Sequence, residues 1–188
     1  FAQDSAMLAS IHQVEGVEVV SMTLEDHAMA KYQEQQAMVT IKGVDDDFEA
    51  LTGVGEILYG NPEFKLYDAV ADYGIMGIQL MYILGTGIHP YDPIEVYAPR
   101  KGTRMNMATP MSNFRRLPLY SPGTVININD SRYASSYIVT SLDYARKLFE
   151  YDTKVSAMEI RVSQDANVAR VKRGIQELVG DGFTVRDH

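Results

Sequence analysis

Near the C-terminus the hydrophobic period changes from two to 3.6 within one short stretch. In "VSAMEIRV", Val155–Val162, the residues Met158, Ile160 and Val162 point one way and Glu159 and Arg161 the other, the pattern of a half-buried strand. "DANVARVKRGIQELVG" then places Val168, Val171, Ile175, Leu178 and Val179 on one helical face and stops at Gly180. With "FTV", Phe183–Val185, predicted as a last strand, the chain ends in a β-α-β unit. A strand that buries one face under one stripe of a helix confines the chain to a layered architecture of helices and sheet.

The beginning of the chain repeats the theme. "DSAMLASIHQVEG" offers Asp4 as an N-cap and Leu8 and Ile11 at helical spacing. "VEVVSM" and "QAMVTIKGV" read as strands, and "DDDFEALTG" as a short helix capped by Asp45 or Asp46 and ended by Gly53. The middle has its own elements. "YGIMGIQLMYILGTGI", Tyr73–Ile88, carries no charge and is shorter than the roughly 20 residues a membrane span needs, so a buried helix is expected. "IEVYA" and "TVINI" read as strands, and "SLDYARKLFEY" as a helix with Ser141 as N-cap. The expected fold is α+β and two-lobed. Residues 1–60 and 152–188 form one lobe, and residues 61–151 form a central lobe inserted into it.

Composition narrows the function. The 188 residues hold 25 acidic and 17 basic side chains, a net charge of −8, which argues against a nucleic-acid partner. With no cysteine, disulfides, thiolate chemistry and cysteine–zinc sites are excluded. His12, His27, His89 and His188 lack ligand spacing. Asp45, Asp46, Asp47 and Glu49 do not make an EF-hand, because Ala50 stands where the turn glycine is required. No phosphate-binding glycine loop and no nucleophile elbow is present. No catalytic residue, cofactor or metal is therefore expected. A free-standing soluble hydrolase with a carboxylate-based site is the alternative reading, and no motif marks it.

One stretch departs from this acidic background. "PRKGTRMNMATPMSNFRRLP", Pro99–Pro118, holds Arg100, Lys101, Arg104, Arg115 and Arg116, three of the ten methionines, and no carboxylate. It has no clean period of two or 3.6, so Gly102–Phe114 is expected to project as a loop or hairpin. Met105, Met107, Met111 and Phe114 would then be available to a partner, flanked by Arg104 and Arg115. Methionine gives adaptable apolar contact, and arginine gives forked donors for an acidic partner.

Several stretches in order resemble the extracytoplasmic domain of FtsX-like ABC-transporter permeases, of the lipoprotein-releasing and macrolide-exporter type. "QAMVTIKGVDDDF" resembles its opening strand and turn. "GIMGIQLMYILG" is similar to its glycine-led helix ending in a leucine-glycine pair, and "PIEVYAPRKG" to the next strand. "YIVTSLDYARKLFEY" and "VSAMEIRV" resemble the later strand-helix-strand portion. The likeness runs from about Leu8 to Val185. The family often has alanine at the position of Met81, and a glycine-aromatic turn where this chain has "ININDS". The resemblance implies a non-catalytic periplasmic domain excised from an integral protein of the bacterial inner membrane. Its partners would be the rest of the permease, a cytoplasmic ATP-binding subunit acting indirectly, and a periplasmic chaperone or envelope protein. Its role would be to couple ATP hydrolysis to movement or recruitment in the envelope, as in lipoprotein release or efflux. The resemblance also places Pro99–Pro118 where the lipoprotein-releasing members carry a hook that recruits a chaperone.

Overall fold

A computed structural model of the chain describes residues 4–53, 58–60, 63–87, 92–101, 113–127 and 131–187. It is built around one strand. β1, Val17–Tyr32, runs for 16 residues and is paired along both edges. On one edge Thr23–Tyr32 pairs antiparallel with β2, Gln35–Val44. The other edge is divided. β9, Ala157–Val162, takes Val17–Thr23, and β5, Ile94–Pro99, takes Met29–Lys31. Between the two, side chains stand in for a strand. Ser156 Oγ accepts the Glu25 N–H at 2.9 Å and donates to the Glu25 carbonyl at 3.3 Å, while Asp26 Oδ1 accepts the His27 N–H at 2.8 Å. Backbone groups inside a sheet need partners, and these supply them where the ladder is interrupted.

The remaining strands extend outward from this centre. β8, Tyr137–Ser141, lies parallel to β2, and β4, Ile75–Gly77, antiparallel to β8. β7, Thr124–Ile126, is parallel to β4, and β3, Leu58–Gly60, antiparallel to β7. On the far side β6, Phe114–Leu119, pairs antiparallel with β5. The nine strands make one sheet, ordered β3-β7-β4-β8-β2-β1-β5-β6 with β9 on β1. A single bridge between Tyr73 and Tyr120 joins the approach to β4 with the end of β6, so the sheet closes on itself there.

Neighbouring residues in a strand face opposite ways, which separates two cores. Ile138, Met76, Val39 and Ile41 belong to the larger one, together with Tyr144, Ala145 and Leu148 of α5 (Leu142–Phe149) and Leu80 and Leu84 of α3 (Ile78–Leu84). Val139, Ile75 and Val44 belong to the smaller one, closed by Phe48 of α2 (Phe48–Thr52) and by Leu66. The hydroxyl of the buried Tyr144 donates to the Leu117 carbonyl at 3.0 Å, fixing α5 to β6. Burial, with the charges of Asp72 and Glu95 adding to it, pushes this phenol far above its ordinary range. At the chain ends α1 (Ser5–His12) packs on α6 (Val168–Val179), and α4 (Ser131–Ser136) lies beside α3.

The architecture is α+β, as the sequence implies. Asp4 caps α1, accepting the Ala6 and Met7 N–H groups, and Ser141 caps α5. Four local readings change. The uncharged run from Tyr73 divides into β4 and a seven-residue α3, which Gly85 ends at φ 67°, the left-handed conformation that suits glycine. Only one side of α3 is buried, and Tyr82 on the other is 72% exposed. At α2 the N-cap position falls to Asp47, with no side-chain bond. Asp45 instead accepts Ser21 Oγ and the Met22 N–H, each at 2.7 Å. Phe183–Val185 forms no strand, because the Gln176 carboxamide takes its backbone groups. It donates to the Phe183 carbonyl at 3.0 Å and accepts the Val185 N–H at 3.3 Å. α6 buries Val171 and Ile175, but Val168 and Leu178 overhang the ends of its packed stripe and are exposed.

β2 meets α5 at Gly43, where an added Cβ would overlap the Ala145 methyl and lie 3.1 Å from the Ser141 carbonyl. Gly43→Ala should therefore cost about 1–3 kcal/mol and lower the unfolding midpoint by roughly 3–10 °C, with part of the loss recovered in the double variant with Ala145→Gly. Thermal denaturation followed by circular dichroism measures this. An unchanged midpoint in Gly43→Ala would show that the β2–α5 approach is not tight.

Candidate partner-binding hairpin

The basic segment supplies one of the sheet's strands. β5 and β6 pair in unbroken register from Ile94–Leu119 to Pro99–Phe114. The same register continues one step further, where the Arg100 N–H donates to the Asn113 carbonyl at 2.8 Å. The stretch expected to project as a loop or hairpin thus has a paired stem whose return strand begins at Phe114, with residues 102–112 outside the described residues. Alternation hid it, because Arg115, Arg116 and Pro118 break the apolar-polar pattern.

Of the six residues expected to face a partner, Arg104, Met105, Met107 and Met111 lie outside the described residues. The other two, Phe114 and Arg115, open β6 and are half-buried. As neighbours in a strand they face opposite ways. Arg115 does not stand free. Its Nη1 donates to Glu150 Oε1 at 3.1 Å, and the Lys101 N–H donates to Glu150 Oε2 at 2.7 Å. One carboxylate at the end of α5 therefore ties both sides of the hairpin stem. Arg116 is more loosely held, 3.6 Å from Glu95 and largely exposed, and such a surface pair contributes little.

Glu150 is the residue sequence reading missed. It occupies the C-cap of α5 at φ 57°, a left-handed conformation that non-glycine side chains adopt at a cost. The Lys101 N–H, then the Arg115 guanidinium, with Arg100 nearby, hold its carboxyl below the usual carboxylate range. The pairing depends on chain segments 35 and 49 residues away, so no local pattern announces it.

Elsewhere the surface of the described residues includes two open clefts. One, of about 370 Å³, lies between Val14 and Glu15 and the Arg170–Glu177 stretch of α6. The other, of about 320 Å³, gathers Asp45, Asp46, Glu49, Glu63 and Tyr67. In the second, Asp45 is engaged with β1 and Asp46 accepts the Tyr67 hydroxyl at 3.2 Å. Among the described residues no group of three or more His, Asp or Glu could hold a metal ion.

No family model matches the sequence, and no curated protein does. Solved structures match over nearly the whole chain. The extracellular domain of the noncanonic ABC-type transporter YknZ from Gram-positive bacteria superposes with a TM-score of 0.64 at 12% identity, covering 96% of this chain and 84% of that one. The fold is that of an ABC-transporter extracytoplasmic domain. The periplasmic region of MacB from Actinobacillus actinomycetemcomitans gives 0.60 at 7% identity, with 95% and 74% covered. A domain from Porphyromonas gingivalis gives 0.52 at 13%, with 93% and 76% covered. No helix among the described residues is long and apolar enough to cross a membrane.

Because the Glu150 carboxyl titrates below its ordinary value in the folded chain, its clamp is complete above the unfolded-state value and is lost as pH falls through the lowered folded one. The protection of the Lys101 amide, its exchange rate relative to the intrinsic rate at the same pH, should fall on acidification below about pH 4.5, and Glu150→Gln should lower it at neutral pH while moving the global unfolding midpoint little. Equal protection of the Lys101 amide in Glu150→Gln and the unaltered chain would show that the clamp does not order the hairpin.

Proposed function

We propose that this chain is the extracytoplasmic domain of an FtsX-like ABC-transporter permease and acts without catalysing a reaction itself. The supporting observation is the shared fold, which spans 96% of the chain with a transporter's extracellular domain. On this reading ATP hydrolysis by a cytoplasmic subunit moves the permease helices, and the domain passes that movement to cargo or to an envelope partner, as in lipoprotein release or efflux. Residues 1–60 with 152–188 act as the lobe near the membrane helices, and residues 61–151 as the outer lobe. Strand β1, within the first of these, pairs both with β9 of the same lobe and with β5 of the outer one, and the Ser156 and Asp26 caps stand between the two pairings.

The Pro99–Pro118 hairpin is the partner-binding element of this proposal. Its stem is anchored through Glu150 and Tyr144 to α5, so a load applied at the hairpin reaches the core of the outer lobe. Arg104, Met105, Met107 and Met111 supply forked donors and deformable apolar contact, with Phe114 and Arg115 at the stem.

The reading makes two checks available. Because the chain has no cysteine, Lys101→Cys in the intact membrane protein is a single reporter within this domain. A membrane-impermeant maleimide added to spheroplasts should label it, and labelling only after lysis would refute the extracytoplasmic placement. Replacing Met105, Met107 and Met111 together with Ser should leave the melting temperature within about 2 °C while abolishing transport by the intact permease. If those methionines were packed core instead, the same change would cost several kcal/mol. A large drop in melting temperature with transport retained would overturn the partner-binding role.

A further inference from the structure

The edge of β6 is open in a specific way. The Arg100–Asn113 bond marks a bonded pair in the β5–β6 register, so the backbone groups of residues 115, 117 and 119 point toward β5. Those of Phe114, Arg116 and Pro118 point away from it. Two further observations agree. Pro118, which has no N–H to give, occupies an outward position. Tyr120, the next outward residue, donates its N–H to the Asp72 carbonyl at 3.0 Å and accepts the Gly74 N–H at 2.9 Å. The edge is therefore paired at Tyr120 and unpaired before it. Among the described residues no partner meets the outward N–H and carbonyl of Phe114 and Arg116 or the carbonyl of Pro118. The Arg116 side chain beside them is 65% exposed.

We propose that this edge receives a short extended segment of an acidic partner polypeptide, which adds a strand beside Phe114–Pro118. Two N–H donors and three carbonyl acceptors are available to it, enough for the main-chain pairing that strand addition uses. The absent N–H of Pro118 and the occupied edge at Tyr120 set where the added strand must stop. Charge selects the partner. Pro99–Pro118 carries five basic side chains and no carboxylate in a chain of net charge −8, so an acidic strand is drawn to this edge and a basic one is not. The same arginines and proline oppose pairing between two copies of the edge, which would set like charges side by side. The inference does not depend on the transporter reading, since it concerns only the geometry of this edge.

The test uses the 188-residue chain and a capped Glu-Val-Glu-Val-Glu peptide at up to millimolar concentration, read by backbone amide shifts and exchange. The peptide should bind saturably and protect the Phe114 and Arg116 amides. Arg116→Pro removes an outward donor without touching the β5 ladder, and it should weaken binding at least tenfold while the Val96 and Ala98 amides stay protected. Arg116→Ala keeps the donor and should weaken it less. Should Arg116→Pro disturb the ladder, a peptide N-methylated on its β6-facing nitrogens gives the same reading on the unaltered chain, again with at least a tenfold loss. Failure to protect those two amides, or equal binding by Arg116→Pro with an intact ladder or by the methylated peptide, overturns strand addition. Equal binding by Lys-Val-Lys-Val-Lys overturns the acidic specificity.

Discussion

The fold depends on β1 being shared. Its 16 residues bond to β2 on one edge and to both β9 and β5 on the other, so parts of the chain more than a hundred residues apart are held by one continuous backbone. A strand can carry two partners on one edge only if the backbone between them is satisfied some other way, since an orphaned group in a sheet costs about as much as a lost hydrogen bond. Ser156 and Asp26 meet that requirement at Glu25 and His27. The divide is thus made of two side chains, and β1 crosses it unbroken.

Register along β1 is fixed by a charge. Lys42 of β2 is only 7% exposed, stands opposite Glu25 of β1, and places its ammonium 2.7 Å from Glu159 of β9 and 3.5 Å from Glu25, over the Phe48 ring. A slip of one residue would turn Lys42 into the apolar face beside α5 and bring Val39 and Ile41 out. Burying an unpaired ammonium there is far costlier than any packing such a slip could recover. At this three-strand junction the buried cation and its aliphatic neighbours Val39 and Ile41 therefore specify the same alignment.

The hairpin at the other end of β1 is organised by a different compromise. Glu150 holds a left-handed backbone that glycine would hold with less strain, and its carboxylate gathers the Lys101 N–H and the Arg115 guanidinium. The stem is therefore seated on α5 at the same point where α5 ends. Tyr144, one helical turn and a half earlier, makes a second attachment to Leu117 from inside the core. A strand whose outer edge meets no partner among the described residues before Tyr120 is kept in place by its ladder to β5 and by these two contacts from within.

Local physics determined much of this protein. Periodicity located α5, α6, β2 and β9, and the caps at Asp4, Ser141 and Gly180 follow from side chains acting on backbone one turn away or from glycine's freedom. The basic, methionine-bearing segment was legible as a candidate site from charge alone. Tertiary structure decided the rest. β1 continues past Met22 because β2 along one edge, and β5 with two capping side chains along the other, satisfy a stretch whose own pattern, "TLEDHAMAKY", does not alternate cleanly, and it turns at Gln33 with φ 52° where no glycine gives a signal. β6 exists because β5 offers a ladder to "FRRLPL", a sequence that would not be taken for a strand by itself. Glu150 and Ser156 gained their roles from partners distant in the chain. Short-range rules reach one turn of helix or one strand, whereas pairing across a sheet is settled by whichever distant segment completes the hydrogen bonds.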